Sequence, residues 1–188
     1  MSAPVMGEPL PIELANATYA VRGRLQDGLS TVEELAAWLD AVRERLPLPP
    51  PEPIRPTAGD LAGARELRDG IRALACAATT GALPEPAAVE AVNKYARAAF
   101  HWRELRWDAA PAALTRSSAP AVSADLSAIA QQAVDLFSGP ALADLRACHA
   151  PGCVLFFIKD HHRREWCSAA CGNRARAARH YNARQGTE

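Results

Sequence analysis

Several absences narrow what this chain can be. No apolar run approaches the ~20 residues that cross a bilayer, so no membrane partner is expected. The opening residues, MSAPVMGEPLPIE, lack a basic start followed by an apolar stretch. A secretion signal is therefore not expected, and the cytoplasm is the expected compartment. There is no glycine-rich phosphate loop, no nucleophile elbow and no His-Glu metal motif, so an enzyme is not expected. No internal repeat is present. Net charge is missing too, with 21 Lys and Arg against 21 Asp and Glu. Nearly half of the 188 residues are apolar, which excludes a disordered chain and suffices for a real core.

The zero total conceals an asymmetry. Residues 148–188 carry seven cations (Lys159, Arg163, Arg164, Arg174, Arg176, Arg179 and Arg184) and three acids, Asp160, Glu165 and Glu188. That end sums to +4 and residues 1–147 to −4. A basic end on a mildly acidic protein points to a polyanionic partner.

Along the first 140 residues the pattern is helical. A short apolar start, 10–22, reads as a helix, and Asp27-Gly28 as a turn. Ser30 and Glu33 have capping-box spacing before an apolar stripe that runs to about Arg45. Residues 47–56, PLPPPEPIRP, forbid helix and favour extended polyproline, a stiff loop between helices. Periodicity resumes after Thr57 and closes at Gly81; Cys76, beside the apolar face of that helix, reads as a buried small side chain. Another helix is expected from Pro86 to Phe100. HWRELRW then reads as a strand paired with Ala113–Arg116. Ser123 is the expected cap of a helix ending at Ser138-Gly139-Pro140.

Four of the five cysteines fall within 24 residues, as Cys148-x4-Cys153 and Cys167-x3-Cys171. Two close pairs separated by a longer loop is the arrangement of a zinc site, and reduced cytoplasmic thiols favour metal over disulfides. Four thiolates close the tetrahedral shell, so one structural Zn2+ is expected, with Cys148, Cys153, Cys167 and Cys171 as ligands. Between the pairs, Val154–Ile158 reads as a strand, Asp160–His162 as a turn and Arg163–Trp166 as a returning strand. Ser168 can cap a helix that carries Cys171 one turn in. Knuckle, β-hairpin and helix in that order make a treble-clef-like finger.

These residues resemble a known family. Cys148-x4-Cys153, Phe156, Trp166-Cys167 and Cys171-Gly172-Asn173-Arg174 look like the CGNR zinc finger. Upstream, Leu14-Ala15-Asn16, Leu29-Ser30-Thr31 and Ala37-Trp38-Leu39 look like the ABATE domain that accompanies it. One departure is Glu13 followed by Asn16-Ala17, where the family tends to carry Asp and Asn-Thr. The resemblance implies a bacterial, stress-induced transcription regulator whose N-terminal domain senses a ligand.

The expected architecture is mainly α. A helical ABATE-like domain with a small β-hairpin spans 1–140, and the zinc finger spans 141–188. The finger's helix, from Ser168 to about Gln185, places Arg176 and Arg179 ~60° apart, with Arg184 ~80° beyond Arg176. These three share a broad solvent face, with Arg163 and Arg164 adding charge beside it. Arg174 points the other way and is expected to turn inward onto an acid or a carbonyl. Asn173 and Arg174 either hold the fold or touch DNA. DNA is the expected partner, with phosphate neutralisation as the driving force. For the N-terminal domain a small-molecule effector is expected at Asn16, Trp38 or Arg68. Of Arg65, Arg68 and Arg72, most read as a solvated face, with one reaching toward an anionic ligand. A homodimer stays open. Two rival readings also stay open: a zinc-stabilised protein-interaction module, and a ligand-binding protein whose finger only seals its end.

Overall fold

A computed structural model describes residues 3–46 and 55–185. Most of the proline-rich stretch lies outside the described residues. The fold opens with α1, Leu10–Ala15, every residue of which is buried. The expected helix over 10–22 stops there. The chain turns into a hairpin, β1 (Thr18–Val21) and β2 (Arg24–Asp27). Arg22 and Gly23 form its tip, both at positive φ, as a two-residue hairpin loop requires.

Helix α2 spans Val32–Ala41, followed by a 3-10 turn at Arg43–Arg45. Its cap lies one residue beyond the expected position. The Thr31 hydroxyl accepts from the Glu34 amide, and the Glu34 carboxylate accepts from Ser30 N–H at 2.7 Å. The longest helix, α3 (Ala58–Thr80), begins with a complete capping box between Thr57 and Asp60. It ends at Gly81, whose φ of +72° is the left-handed cap conformation. Cys76 is exposed rather than buried, because it sits on the outward side of α3.

Helix α4 covers Pro86–Ala96 and stops four residues short of Phe100. It crosses α3 closely at Gly70, where a Cβ would stand 3.0 Å from the Ala91 side chain. The expected hairpin is present as β3 (His101–Trp107) and β4 (Pro111–Ser117). Helix α5, Ala121–Ser138, has Pro120 rather than Ser123 at its N-cap and no side-chain cap. Ser123 lies inside the first turn, and its hydroxyl reaches Asp60 at 3.4 Å. A 3-10 turn, Pro140–Asp144, leads to β5 (Leu145–Ala147), β6 (Phe156–Ile158) and α6 (Ala169–Gln185).

Leu10 and Leu14 of α1, Leu35, Trp38 and Leu39 of α2, Leu67 and Ile71 of α3, and Leu126 and Ile129 of α5 build the main core. Their burial, rather than propensity, holds these helices. A second cluster joins Ile12, Ala75 and Leu136 to Leu145 and Phe156 of the C-terminal module. The finger thus packs into the helical body instead of hanging from it.

Candidate zinc centre and nucleic-acid interface

The C-terminal module is built on a strand pair that the residues did not reveal. β6 pairs antiparallel with β5, which precedes the first cysteine, and not with Arg163–Trp166. Ala147 faces Phe156 and Leu145 faces Ile158, so the knuckle Cys148-x4-Cys153 is the loop of that hairpin. The Cys148 amide donates to Leu155 O at 2.8 Å and the Cys153 amide to Ala150 O at 2.9 Å. Gly152, at φ +70°, permits the tight return. Arg163–Trp166 is irregular because Arg164 is drawn inward. Its guanidinium donates to Ile158 O at 3.0 Å and Cys167 O at 3.2 Å, pairs with Glu8 and lies 5.0 Å over the Phe157 ring.

Ser168 caps α6 as expected. Its hydroxyl accepts from the Cys171 amide at 3.2 Å, which brings Cys171 under Cys167. The four sulfurs, one each from Cys148, Cys153, Cys167 and Cys171, all lie within 4.8 Å of one another. Zinc–thiolate bonds of ~2.3 Å in a tetrahedron put sulfurs ~3.8 Å apart. Cys153 and Cys167 stand 3.8 Å apart and Cys167 and Cys171 3.4 Å, so the donor set fits the ion in number, kind and spacing.

The thiols also show why the site suits a dication. Hydrogen bonds from Cys153 and Cys167 hold Cys148 well below the usual thiol range. The hydrogen bond with Cys148 pushes Cys153 up to about 11, and hydrogen bonds with Cys148 and Cys153 push Cys167 up as well. Ionising all four so close together needs a compensating cation.

Zn2+ with four thiolates carries a formal −2, which the surroundings offset. Cys171 sits in the first turn of α6, where the helix dipole favours negative charge. Arg174, expected to turn inward onto an acid or a carbonyl, stays exposed, and its target is a metal ligand. Its guanidinium donates to Cys171 Sγ at 3.0 Å. This is support around a metal ligand, of the kind that tunes metal sites.

The module is locked to the body by buried polar contacts. The Asn16 side chain, fully buried, donates to Phe156 O at 2.9 Å and accepts from Phe156 N–H at 2.9 Å. Glu8 accepts from Ile158 N–H at 2.8 Å and pairs with Arg164. Burial pushes the Glu8 carboxyl up, against the Ile158 amide and Arg164, which hold it down. Glu13, also buried, accepts from the Met6 and Glu8 amides and from Arg45. Arg72 donates to Val154 O at 2.7 Å and lies 5.3 Å over the Phe156 ring.

The residues expected to meet DNA therefore divide. Arg163, Asn173, Arg176, Arg179 and Arg184 are exposed, and the four arginines have no acidic partner among the described residues. Arg176 donates to Asn173 Oδ1. Arg179 lines a shallow groove with His149, Pro151, Trp166 and Asn182. Arg164 and Arg174 are engaged within the module, as described above.

The knuckle also touches a basic turn outside the expected set. A Cβ on Gly152 would meet Gly23 Cα at 3.6 Å, which places exposed Arg22 and Arg24 beside the finger. Only the Arg-Gly-Arg spacing hinted at this turn; nothing local tied it to the cysteines.

The residues expected to meet an effector are scattered. Asn16 is saturated by Phe156, and Arg68 pairs with Asp27 and Asp69. Trp38 is in the core, its Nε1 without a partner among the described residues. Arg65 donates to the Leu29 and Ser30 carbonyls, so Arg65, Arg68 and Arg72 all turn inward instead of forming a solvated face. None of the three expected effector residues lines the apolar cleft of about 400 Å3 between α3, α4 and α5. Leu74, Val92, Val134, Phe137 and Leu142 form its walls.

Fold and site together define a small helical domain sealed by a four-cysteine zinc module with a basic helix. The ABATE family, described as "putative stress-induced transcription regulator", matches residues 8–140, and the chain belongs to it. Residues 145–185 match the CGNR zinc finger. Among curated proteins none matches this chain. The four cysteines thus hold one zinc ion, which fixes the knuckle, β6 and the start of α6. No described helix is long and apolar enough to cross a membrane.

Proposed function

We propose that this chain is a cytoplasmic, non-enzymatic transcription regulator that binds DNA through the finger. The observation that carries the reading is the set of unpaired cations around the zinc module. Arg163, Arg176, Arg179 and Arg184 are exposed without acidic partners among the described residues, while Arg164 and Arg174 stabilise the module beneath them. Arg22 and Arg24 add two exposed cations at the hairpin tip whose Gly23 meets the knuckle at Gly152. Cations with free heads release counterions when they meet phosphates, which is the main source of sequence-independent affinity. Asn173 is exposed and offers a base-reading group beside Arg176.

The sensing role rests on the apolar cleft between α3, α4 and α5. Its walls suit a small apolar molecule, not the anionic ligand that an inward arginine would take.

Zinc dependence tests the DNA reading. Zinc-loaded protein should bind fluorescent duplexes drawn from its own genome, and chelation should abolish binding by releasing α6. Loaded protein that binds none of them would transfer the module to protein recognition.

A further inference from the structure

The β3–β4 hairpin has no part in the zinc module or the cleft. It leaves the body at His101, whose Nε2 lies 3.1 Å from Ala124 O, and beyond that point all of β3 is exposed. Leu105 is 67% and Trp107 72% exposed, an unusual display on a short ribbon. Two-stranded ribbons are marginal in water, and added strands stabilise them.

We propose that this hairpin is a self-association arm: β3 pairs antiparallel with β3 of a second copy about Leu105, making a four-stranded sheet. The backbone selects the edge. Phe100 O accepts from Ser118 N–H at 3.1 Å, so the antiparallel alternation turns the even-numbered residues of β3 inward. His101, Arg103, Leu105 and Trp107 then direct their amides and carbonyls to the open edge. On β4 the same alternation puts Pro111, which has no N–H, on the outer edge. The outer edge of β3 contains no proline.

Side-chain charge selects the partner and the register. A two-fold axis must keep each side chain on its own face, so the centre falls on a residue. Centring on Arg103, Glu104 or Arg106 would oppose that residue to its own copy, with like charges in contact. Centring on Leu105 opposes Leu105 to the partner's Leu105, Glu104 to the partner's Arg106 and Arg103 to the partner's Trp107. The two-fold axis repeats the last two pairs. Each is favourable as an ion pair or a cation over an aromatic ring. The strand is thus complementary to itself, which points to a second copy of this chain and not to an unrelated strand. Arg103 has no ion-pair partner among the described residues and is available for this contact.

Charge exchange tests the register on the full zinc-loaded chain. Sedimentation over a concentration series should show wild type rising from 20.1 kDa toward twice that mass. Glu104→Arg and Arg106→Glu should each stay at monomer mass, because each homodimer would contain two like-charged pairs. An equimolar mixture of the two variants should regain the doubled mass, since both pairs then become opposite in sign. The substitutions break only exposed pairs within the hairpin, Glu104 with Arg116 and Arg106 with Asp108, which contribute little to folding. Unchanged circular dichroism and zinc content would confirm that the variants are folded. Wild type that stays monomeric at hundreds of micromolar, or single variants that associate like wild type, would overturn the proposal. So would a mixture that fails to recover. DNA binding does not enter any of these readouts.

Discussion

Replacing Asn16 with Ala tests the packing of the finger on the body. The side chain satisfies both the N–H and the C=O of Phe156, each at 2.9 Å, in a fully buried setting. Ala leaves both backbone groups without partners. Each orphaned buried group costs about 1–3 kcal/mol, so the pair costs about 2–6 kcal/mol if additive. Native stabilities of about 5–15 kcal/mol make that a large fraction. Urea unfolding of the zinc-loaded chain, at fixed free zinc, should show the loss as an earlier midpoint. Because Asn16 ties Phe156 of β6 to the body, and the β5–β6 hairpin carries Cys148 and Cys153, zinc should also be lost to a chelator at lower concentration. Gln131→Ala is the control. It removes an exposed bond to Ala96 O, and its effect should stay within about 0.5 kcal/mol. If Asn16→Ala matches the control, the finger does not depend on this contact.

Zinc removal should lower the melting temperature of the whole chain in one transition, since Leu145 and Phe156 share a cluster with Ile12, Ala75 and Leu136. A helical body that melts at the same temperature with and without metal would mean two independent units. Burial pushes the Asp125 carboxyl up to about 7 from its ordinary 3.8. The native chain therefore holds a proton there that the unfolded chain releases, and stability should fall as pH rises from about 4 to 7. Asp125→Asn should flatten that part of the urea-midpoint profile; an unchanged slope would show that Asp125 is already ionised at low pH.

The local grammar of the chain carried much of the fold. Thr57 and Gly81 bracket α3, HWRELRW pairs with the segment after it, and Ser168 caps α6. What escaped were contacts between distant residues. Arg163–Trp166 has strand-like residues, yet β6 took β5 as partner because Leu145 and Phe156 enter the body's core together. Asn16 is consistent with a ligand motif until Phe156, 140 residues away, claims both of its polar atoms. Arg164 counted as surface charge because its acid, Glu8, lies at the far end of the chain. Spacing alone identified the four cysteines, since each pair is local and the chemistry of zinc demands all four.

The central claim, that the basic surface around the zinc module meets DNA, is tested most directly by the salt dependence of binding. A fluorescent duplex is titrated at several salt concentrations with wild type and with the Arg176→Ala/Arg179→Ala variant, zinc content being measured in parallel. Neither residue is a ligand, so zinc should remain. Affinity should fall across all sequences, and the slope of log K against log salt should flatten by roughly one unit per lost phosphate contact. Equal affinity and equal slope in the two proteins would contradict the account and remove α6 as the DNA-reading element.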